Sequence, residues 1–456
     1  MEEIRKYDNY KDSGIDWVGE IPENWGLKKF GQVSYMKGRI GWQGLKQTEF
    51  TQNSDDPFLI TGMNFHSGII RWDEVYHITE DRYEQAPEIQ LKNHDVLITK
   101  DGTIGKLLFV EEIPYPYKAS LNSHLLVLRP LYDSYYPRYL YYQLQSLPFK
   151  HHVELTKTGT TFFGITQEAI GQYKMILPAK KEQTTIADYL DRKTSEIDRI
   201  IANKQKLISF YDEEKQAVIN QAVTKGLDPN VKLKDSGVEW LGEIPEHWGV
   251  KRIRQVAKIF GRIGYRGYTV ADLVSEGEGA ITISPSNMKE YHMDFTSCTY
   301  LSWEKYEESP EIKINNDDIL FVKTGSTYGK TSYVSNLPME ATINPQIIVF
   351  KEINCNNKLL WYILKSENII FQVEGTVVGG TIPTISQAKI SNYYFPISPD
   401  FKEQQSIVAY IEKECNRLDT ILEKCNKQLG LLKEYRTTLI SEVVTGKIKV
   451  PNTIEA

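Results

Sequence analysis

The chain has 456 residues, of which 41% are hydrophobic and 25% charged, and its formal net charge is −6. That length gives room for about two to four ordinary domains, and the composition is that of a soluble globular protein. The negative balance excludes a generally basic nucleic-acid coat, so any contact with a polyanion has to come from local patches.

The opening residues MEEIRKYDNYKDSG carry no apolar signal-peptide core, and no apolar run is long enough to span a bilayer. Residues 11–26, KDSGIDWVGEIPENWG, return at 234–249 as KDSGVEWLGEIPEHWG, with twelve of sixteen positions identical. The register continues. Gly38-Arg39-Ile40-Gly41 recurs as Gly261-Arg262-Ile263-Gly264, and DVLITKDGTIGK (95–106) as DILFVKTGSTYGK (318–330). TTFFGIT (160–166) answers GTIPTIS (380–386), and Pro178 with Lys181-Glu182-Gln183 answers Pro399 with Lys402-Glu403-Gln404. One module is therefore written twice.

Within each copy, short apolar runs (VLIT, LLVLRP, DILFVK, IIVFKE) alternate with Gly- and Asn-bearing turns, which predicts strands with a few helices. A long helix follows each copy. In the first, Ile197, Ile201, Ile208, Tyr211, Val218 and Ala222 fall on three- and four-residue steps, interrupted by Lys204 and Lys215. In the second, the steps run through Leu418, Leu422, Cys425, Leu429, Leu432, Leu439 and Val443, interrupted by Arg436. Such a seam predicts a coiled coil, with Pro178 and Pro399 before the helices and Gly226 and Gly446 as stops. The order of parts predicts that the helices pair antiparallel, with a pseudo-two-fold axis. About 40 helical residues span roughly 60 Å, one to two turns of a duplex at about 34–36 Å per turn. The expected borders are 1–178 and 227–399 for the globular parts, and 179–226 and 400–450 for the helices.

Several motifs could carry chemistry. Gly325-Ser-Thr-Tyr-Gly329-Lys330-Thr331 is one residue short of a P-loop, and its twin Gly102-Thr-Ile-Gly105-Lys106 is shorter still. Both read as turns presenting Lys and a hydroxyl to something anionic. Asn344-Pro345-Gln346-Ile347 lacks the second proline and the aromatic of an amino-methyltransferase motif, and Asn122-Ser123-His124 keeps only the asparagine. The histidines form no metal-ligand spacing, and no Gly-x-Ser-x-Gly elbow is present. Four cysteines (Cys298, Cys355, Cys415, Cys425) without a CxxC argue against a zinc site or disulfide framework, and for a reducing cytoplasm. Catalysis by this chain is not expected.

Local charge points elsewhere. Residues 27–48 hold Lys28, Lys29, Lys37, Arg39 and Lys46 and no acid. Residues 250–270 hold Lys251, Arg252, Arg254, Lys258, Arg262 and Arg266, again with no acid. Each stretch has glycines and an aromatic (Trp42, Tyr265), which suits either a solvated basic strand or a loop approaching a phosphate backbone. Lys157-Thr158-Gly159-Thr160-Thr161 and Val378-Gly379-Gly380-Thr381 lead into Thr166 and Ser386, expected helix N-caps. The tyrosines from Tyr132 to Tyr142 read as a helix packing its aromatic face into the core, with a base-stacking platform as the other reading.

Taken in order and twice over, the SG(I/V)(D/E)W(V/L)GEIPE(N/H)WG segment, the K(D/T)G(T/S)…GK turn, the TTFFGIT/GTIPTIS pair and the Lys-Glu-Gln helix start resemble the specificity subunit of type I restriction–modification systems. The resemblance covers nearly the whole chain. It implies an α+β fold of two pseudo-repeated target recognition domains separated by two long antiparallel coiled-coil helices. Each domain would read one half of a split, asymmetric site in double-stranded DNA. The helices would space the domains and dock two methyltransferase subunits, which restriction subunits join. Adenosylmethionine, ATP and Mg would sit on those partners, with no cofactor in this chain and no membrane contact. The expected DNA-binding residues are Lys37, Arg39, Lys100, Thr103, Lys106, Lys157, Thr160 and Thr161, and then Arg262, Arg266, Lys323, Ser326, Lys330, Gly380 and Thr381. Lysines are assigned mainly to phosphate, and Arg39 and Arg262 to a guanine edge. Asp101, where the second copy has Thr324, is awkward beside phosphate unless it accepts from a cytosine amine. A methylation-only complex, a self-contained enzyme and a coiled-coil scaffold that reads no DNA are the other readings.

Overall fold

Four apolar stretches of the first copy pair into one antiparallel sheet. Val96–Thr99 lies between Leu107–Phe109 and Leu125–Pro130, and Ser34–Lys37 closes the far edge. Side chains alternate between the faces of a strand, and here both faces are covered. Val96 and Ile98 join a core with Phe30, Tyr135 and Tyr139, whereas Leu97 joins Phe58, Ile60 and Ala119 on the other side. A second sheet orders Ala119–Leu121, Phe58–Ile60, Tyr76–Ile78 and Phe50–Thr51, the first pair parallel. The second copy repeats both. Lys258–Gly261, Ile347–Lys351, Ile319–Val322 and Thr331–Tyr333 form one sheet, and Leu273–Val274, Thr299–Ser302, Gly279–Ile283 and Ala341–Ile343 the other.

The computed structural model describes residues 5–41, 44–65, 70–159, 163–289, 292–380 and 382–451. They fall into two compact units, Met1–Gln205 with Asn426–Ala456, and Lys206–Cys425. Each unit holds one globular part and a stretch of each long helix. The helices run Lys180–Lys225 and Phe401–Val444, each roughly 65–70 Å long at 1.5 Å per residue. The second stops short of the expected residue 450. Gly446 takes a left-handed φ of +76°, and the Lys447 N–H returns to the Glu442 carbonyl at 2.8 Å, which closes the helix end. No described helix is long and apolar enough to cross a membrane, and all four cysteines are free.

Within each unit the two helices run antiparallel, and the polar residues that interrupt the seam provide the cross-links. In the first unit Arg436 binds Asp198 at 2.8 Å, and Lys204 donates to Gln428 at 2.7 Å. In the second, the buried Lys215 meets Asp419 at 2.5 Å, and Arg417 meets Glu214 at 2.8 Å. Of the expected seam, Ile197, Ala222, Leu418, Cys425, Leu439 and Val443 are buried, while Ile201, Ile208, Tyr211, Val218, Leu422, Leu429 and Leu432 are half-buried. At the base of the first helix Ile219, not Val218, fills the core.

The duplicated Trp and the Lys-Glu-Gln start explain each other. Trp25 Nε1 donates to Glu182 at 3.2 Å, and Trp248 Nε1 to Glu403 at 3.1 Å. Gln183 is buried. Its amide oxygen accepts the Tyr136 N–H (2.8 Å) and its amide nitrogen donates to the Pro178 carbonyl (2.9 Å). Gln404 repeats this with the Asn356 N–H (2.9 Å) and the Ser398 carbonyl (2.8 Å). The opposite helix ends at the same place. Val443 and Val444 pack in the core that holds Trp25, and Ala222 and Val223 in the core that holds Trp248. The buried Tyr135, Tyr139 and Tyr142 belong to the first of these cores, which leaves them no part in base stacking.

Removing a buried group that satisfies two backbone partners exposes both to the cost of desolvation, about 1–3 kcal/mol each. Gln183→Ala and Gln404→Ala should each destabilise the chain by roughly 2–4 kcal/mol in denaturant unfolding. Lys181→Ala, on the exposed side of the same turn, should leave the midpoint unchanged.

Candidate nucleic-acid interface

The strand pair Val96–Thr99 and Leu107–Phe109 carries the KDGTIGK turn. Thr99 organises it: its hydroxyl donates to the Thr103 carbonyl at 2.5 Å and accepts the Lys106 N–H at 2.9 Å. Gly102 (φ +72°) and Gly105 (φ +78°) supply backbone angles that other residues rarely adopt. Thr103 and Lys106 are thereby turned to solvent. The turn runs strand to strand, so no helix N-terminus follows it to hold a nucleotide phosphate as a P-loop would.

Two distant segments dock on this turn. Thr158 and Gly164 exchange backbone hydrogen bonds at 2.8 and 2.9 Å, closing the Thr/Gly loop on itself. That loop then binds the turn, with Gly102 N–H to the Phe163 carbonyl (3.2 Å) and Ile165 N–H to the Lys100 carbonyl (2.7 Å). On the other side the Lys100 N–H reaches the His124 carbonyl at 3.0 Å. Thr166 caps the short helix Gln167–Gly171 through the Ala169 N–H at 3.0 Å, as its position predicts. Beside the turn and the His124 segment opens a cleft of about 400 Å³, lined among others by Thr61, Met63, Tyr76, Asp101, Thr103, Lys106, Asn122 and His124.

The second copy builds the same frame. Gly325 N–H meets the Pro383 carbonyl (3.0 Å), Ile385 N–H the Lys323 carbonyl (2.8 Å), and Lys323 N–H the Gln346 carbonyl (2.8 Å). Ser326 and Gly380 are exposed there, and Lys323 and Lys330 half-exposed, with Lys330 Nζ at 3.5 Å from the Pro285 carbonyl. Ser386 caps its short helix through the Lys389 N–H. Thr160, Thr161 and Thr381, and Trp42 beside the first basic stretch, lie outside the described residues.

The expected lysines stand where a polyanion could meet them. Lys37 is exposed on the edge strand Ser34–Lys37, and Lys100 is half-exposed at the turn. Lys157, at the root of the Thr/Gly loop, pairs with Glu154 at 2.5 Å and lies over the Phe163 ring.

Arg39 and Arg262 are the correction. Arg39 is 4% exposed, and its guanidinium donates to the Leu121 carbonyl at 2.9 Å and to the Ser120 hydroxyl at 3.2 Å. Arg262 is 6% exposed and bonds the Ile343 carbonyl (3.2 Å) and the Thr342 hydroxyl (3.0 Å). Each follows the edge strand of one sheet and ties it to the edge strand of the other. Neither is presented to a guanine. Burial is also the main cause that pushes Arg39 down to about 10, and it lowers Arg262 in the same direction. Arg266 is drawn into an ion pair with Glu311 at 3.3 Å. The identity of GRIG in both copies was the available signal, since residues that read different bases should differ between copies. What sequence reasoning left out of the site is His124, which the fold brings from a separate turn to the side of Asp101.

Arg39→Ala should leave buried carbonyl and hydroxyl partners unmet and cost roughly 2 kcal/mol or more. The measurement is thermal unfolding. A normal melting temperature with weakened DNA binding would reverse the assignment as a brace.

A family model described as type I restriction modification DNA specificity domain matches residues 22–209 and again 245–430. The chain is 22% identical over 455 residues to the type I restriction enzyme MjaVIII specificity subunit of Methanocaldococcus jannaschii, covering 98% of this chain and 97% of that one. It is 18% identical over 441 residues to the EcoKI specificity subunit of Escherichia coli (strain K12), covering 94% and 90%. A solved chain from a study of complex assembly and conformational transition in the type I R-M system superposes with a TM-score of 0.68 at 14% identity, over 93% of this chain and 98% of that chain. That likeness extends to the fold.

Proposed function

We propose that this chain, which belongs to the type I restriction–modification DNA specificity family, reads one half of a split DNA site with each of its globular parts. The observation that carries the reading is the twofold occurrence of one backbone frame, turn plus Thr/Gly loop, with different side chains displayed on it. A reader of two unlike half-sites needs that combination. The frame fixes register against the phosphates, and the displayed side chains make the choice of base.

In this reading Lys37, Lys100, Lys106 and Lys157 in the first part, and Lys323 and Lys330 in the second, face the phosphate backbone. Thr103 and Ser326 are exposed at matching places in the two turns, and Thr160, Thr161, Gly380 and Thr381 would complete the loops beside them. Middle segments 42–85 and 265–308 diverge between the copies, which supports two unlike half-sites. Methyl transfer and cleavage belong to partner subunits, with adenosylmethionine, ATP and Mg held there. Docking of methyltransferase subunits on the helices is supported by exposed apolar side chains, Ile200, Leu431 and Tyr435 in the first unit and Phe210 and Tyr410 in the second. Restriction subunits would join through the methyltransferases. A cytoplasmic location follows from that assembly.

Exchanging residues 27–177 for those of another family member tests the modular reading. Mapping methylated bases in cells carrying the complex should show one half-site replaced and the other retained. Both halves changing together would defeat it. Lys106→Ala, in the complex with its methyltransferase subunits, should weaken binding to all DNA sequences alike. It should also flatten the dependence of log K on log salt by about one unit. An unchanged slope would remove Lys106 from the phosphate contacts.

A further inference from the structure

The two backbone frames differ most pointedly at one pair of positions. In the first domain Asp101 and His124 face each other, with His124 Nδ1 donating to Asp101 Oδ1 at 2.5 Å. The backbone contacts that hold them recur in the second domain around Thr324 and Gln346. Asp101 bridges to Gly164 as Thr324 bridges to Thr384. His124 accepts the Lys100 N–H through its carbonyl as Gln346 accepts that of Lys323. Gln346, in turn, takes an amide contact from Asn344 at 3.2 Å. The frame is thus complete without a His–carboxylate pair.

A solvent-facing His–carboxylate contact of this kind contributes little to stability, about 0–1 kcal/mol even when both groups are charged. The His124 side chain is 59% exposed and that of Asp101 24%. Both line the cleft beside Thr103 and Lys106, the groups assigned above to the DNA. A carboxylate there repels phosphate, so its place is intelligible only if it meets the one strong donor that a base edge offers, an exocyclic amine. Cytosine N4 and adenine N6 are those donors in the major groove. His124 occupies one carboxylate oxygen and holds the group in place. Among the described residues Asp101 Oδ2 has no hydrogen-bond partner.

We propose that Asp101, positioned by His124, accepts a hydrogen bond from the exocyclic amine of a cytosine or adenine in the half-site read by the first domain. Thr324 and Gln346, at the same positions of the second frame, give that domain a different preference. The assignment rests on the DNA-reading function proposed above and deepens it at one base pair.

The test uses the full chain in complex with its methyltransferase subunits, in cells whose methylated motif is mapped genome-wide. Asp101→Asn and the double variant Asp101→Thr/His124→Gln are compared with the wild type. The double variant imports side chains that the second frame already carries, so loss of folding is not the expected result, and a melting temperature checks it. At one base pair of one half-site, discrimination should fall roughly tenfold or more, since a good base-edge contact carries that much. The other half-site should be unchanged, and in Asp101→Asn the affinity for non-specific DNA should not fall, because a negative charge has gone. The relaxed position identifies the donor: a C·G pair points to cytosine N4, an A·T pair to adenine N6. Variants that methylate the wild-type motif with undiminished discrimination would overturn this assignment alone. A wild-type complex with no split motif at all would overturn it together with the function on which it rests.

Discussion

An indole N–H held by a carboxylate at the start of a long helix is the constraint on which each unit depends. Trp25 to Glu182 and Trp248 to Glu403 place a large, fully desolvated ring between the globular part, the start of one helix and the end of the other. The indole offers a single donor, so a buried tryptophan is costly unless that donor is met. Glu182 also accepts from Tyr7 at 2.7 Å, and Glu403 from His247 at 2.9 Å and from Ser398. Burial pushes the Glu403 carboxyl up, but the donors Ser398, His247 and Trp248 outweigh it and hold it below the usual carboxylate range. The neighbouring glutamine finishes the junction by accepting the Tyr136 N–H and donating to the Pro178 carbonyl, backbone groups that would otherwise be left unmet beside the helix start. With the helix fixed at its root, the sheets beside it and the turn they carry are fixed too.

This junction also accounts for what is shared between the copies. The GEIPExWG segment and the Lys-Glu-Gln start lie far apart in sequence, yet neither works without the other. Their joint repetition is a physical necessity of repeating the junction. The same holds for GRIG, since Arg39 and Arg262 tie paired edge strands together, and for the turn glycines with left-handed φ. Residues that serve the frame are held alike by the frame in both places.

Much of the architecture was legible because the repeat supplied a second reading of every segment. Strand runs, helix stops and N-caps at Thr166 and Ser386 follow from local pattern, whereas the union of turn with Thr/Gly loop joins segments about sixty residues apart and does not. Two kinds of information did not. The first is sidedness. A count of basic residues over 27–48 cannot tell Lys37, which faces water, from Arg39, whose guanidinium reaches the edge strand Ala119–Leu121 across more than eighty residues of chain. The second is where the helix meets the globular core. A seam read for a helix partner does not show which further face the core covers, and at the base of the first helix Ile219 and Val223 are buried there beside the seam position Ala222, while Val218 is half-buried. The meeting of His124 with Asp101 belongs to the first kind, since it needs the crossing of two loops that only the completed sheet brings together.

The same separation of frame from display gives a rule for reading the divergent parts. A position where both copies keep one residue and bury it is a brace, whatever its charge, and Arg39 and Arg262 are the case in point. A position where the backbone bonds coincide but the side chains differ and reach solvent is free to vary without cost to the frame, as at Asp101 against Thr324 and His124 against Gln346. Charge alone would favour an arginine over an aspartate at a polyanion. Burial and shared hydrogen bonds sort them the other way, because a contact already satisfied inside the protein has nothing left to offer a base. A change of specificity can then occur at the displayed positions without disturbing the junction that holds the unit together.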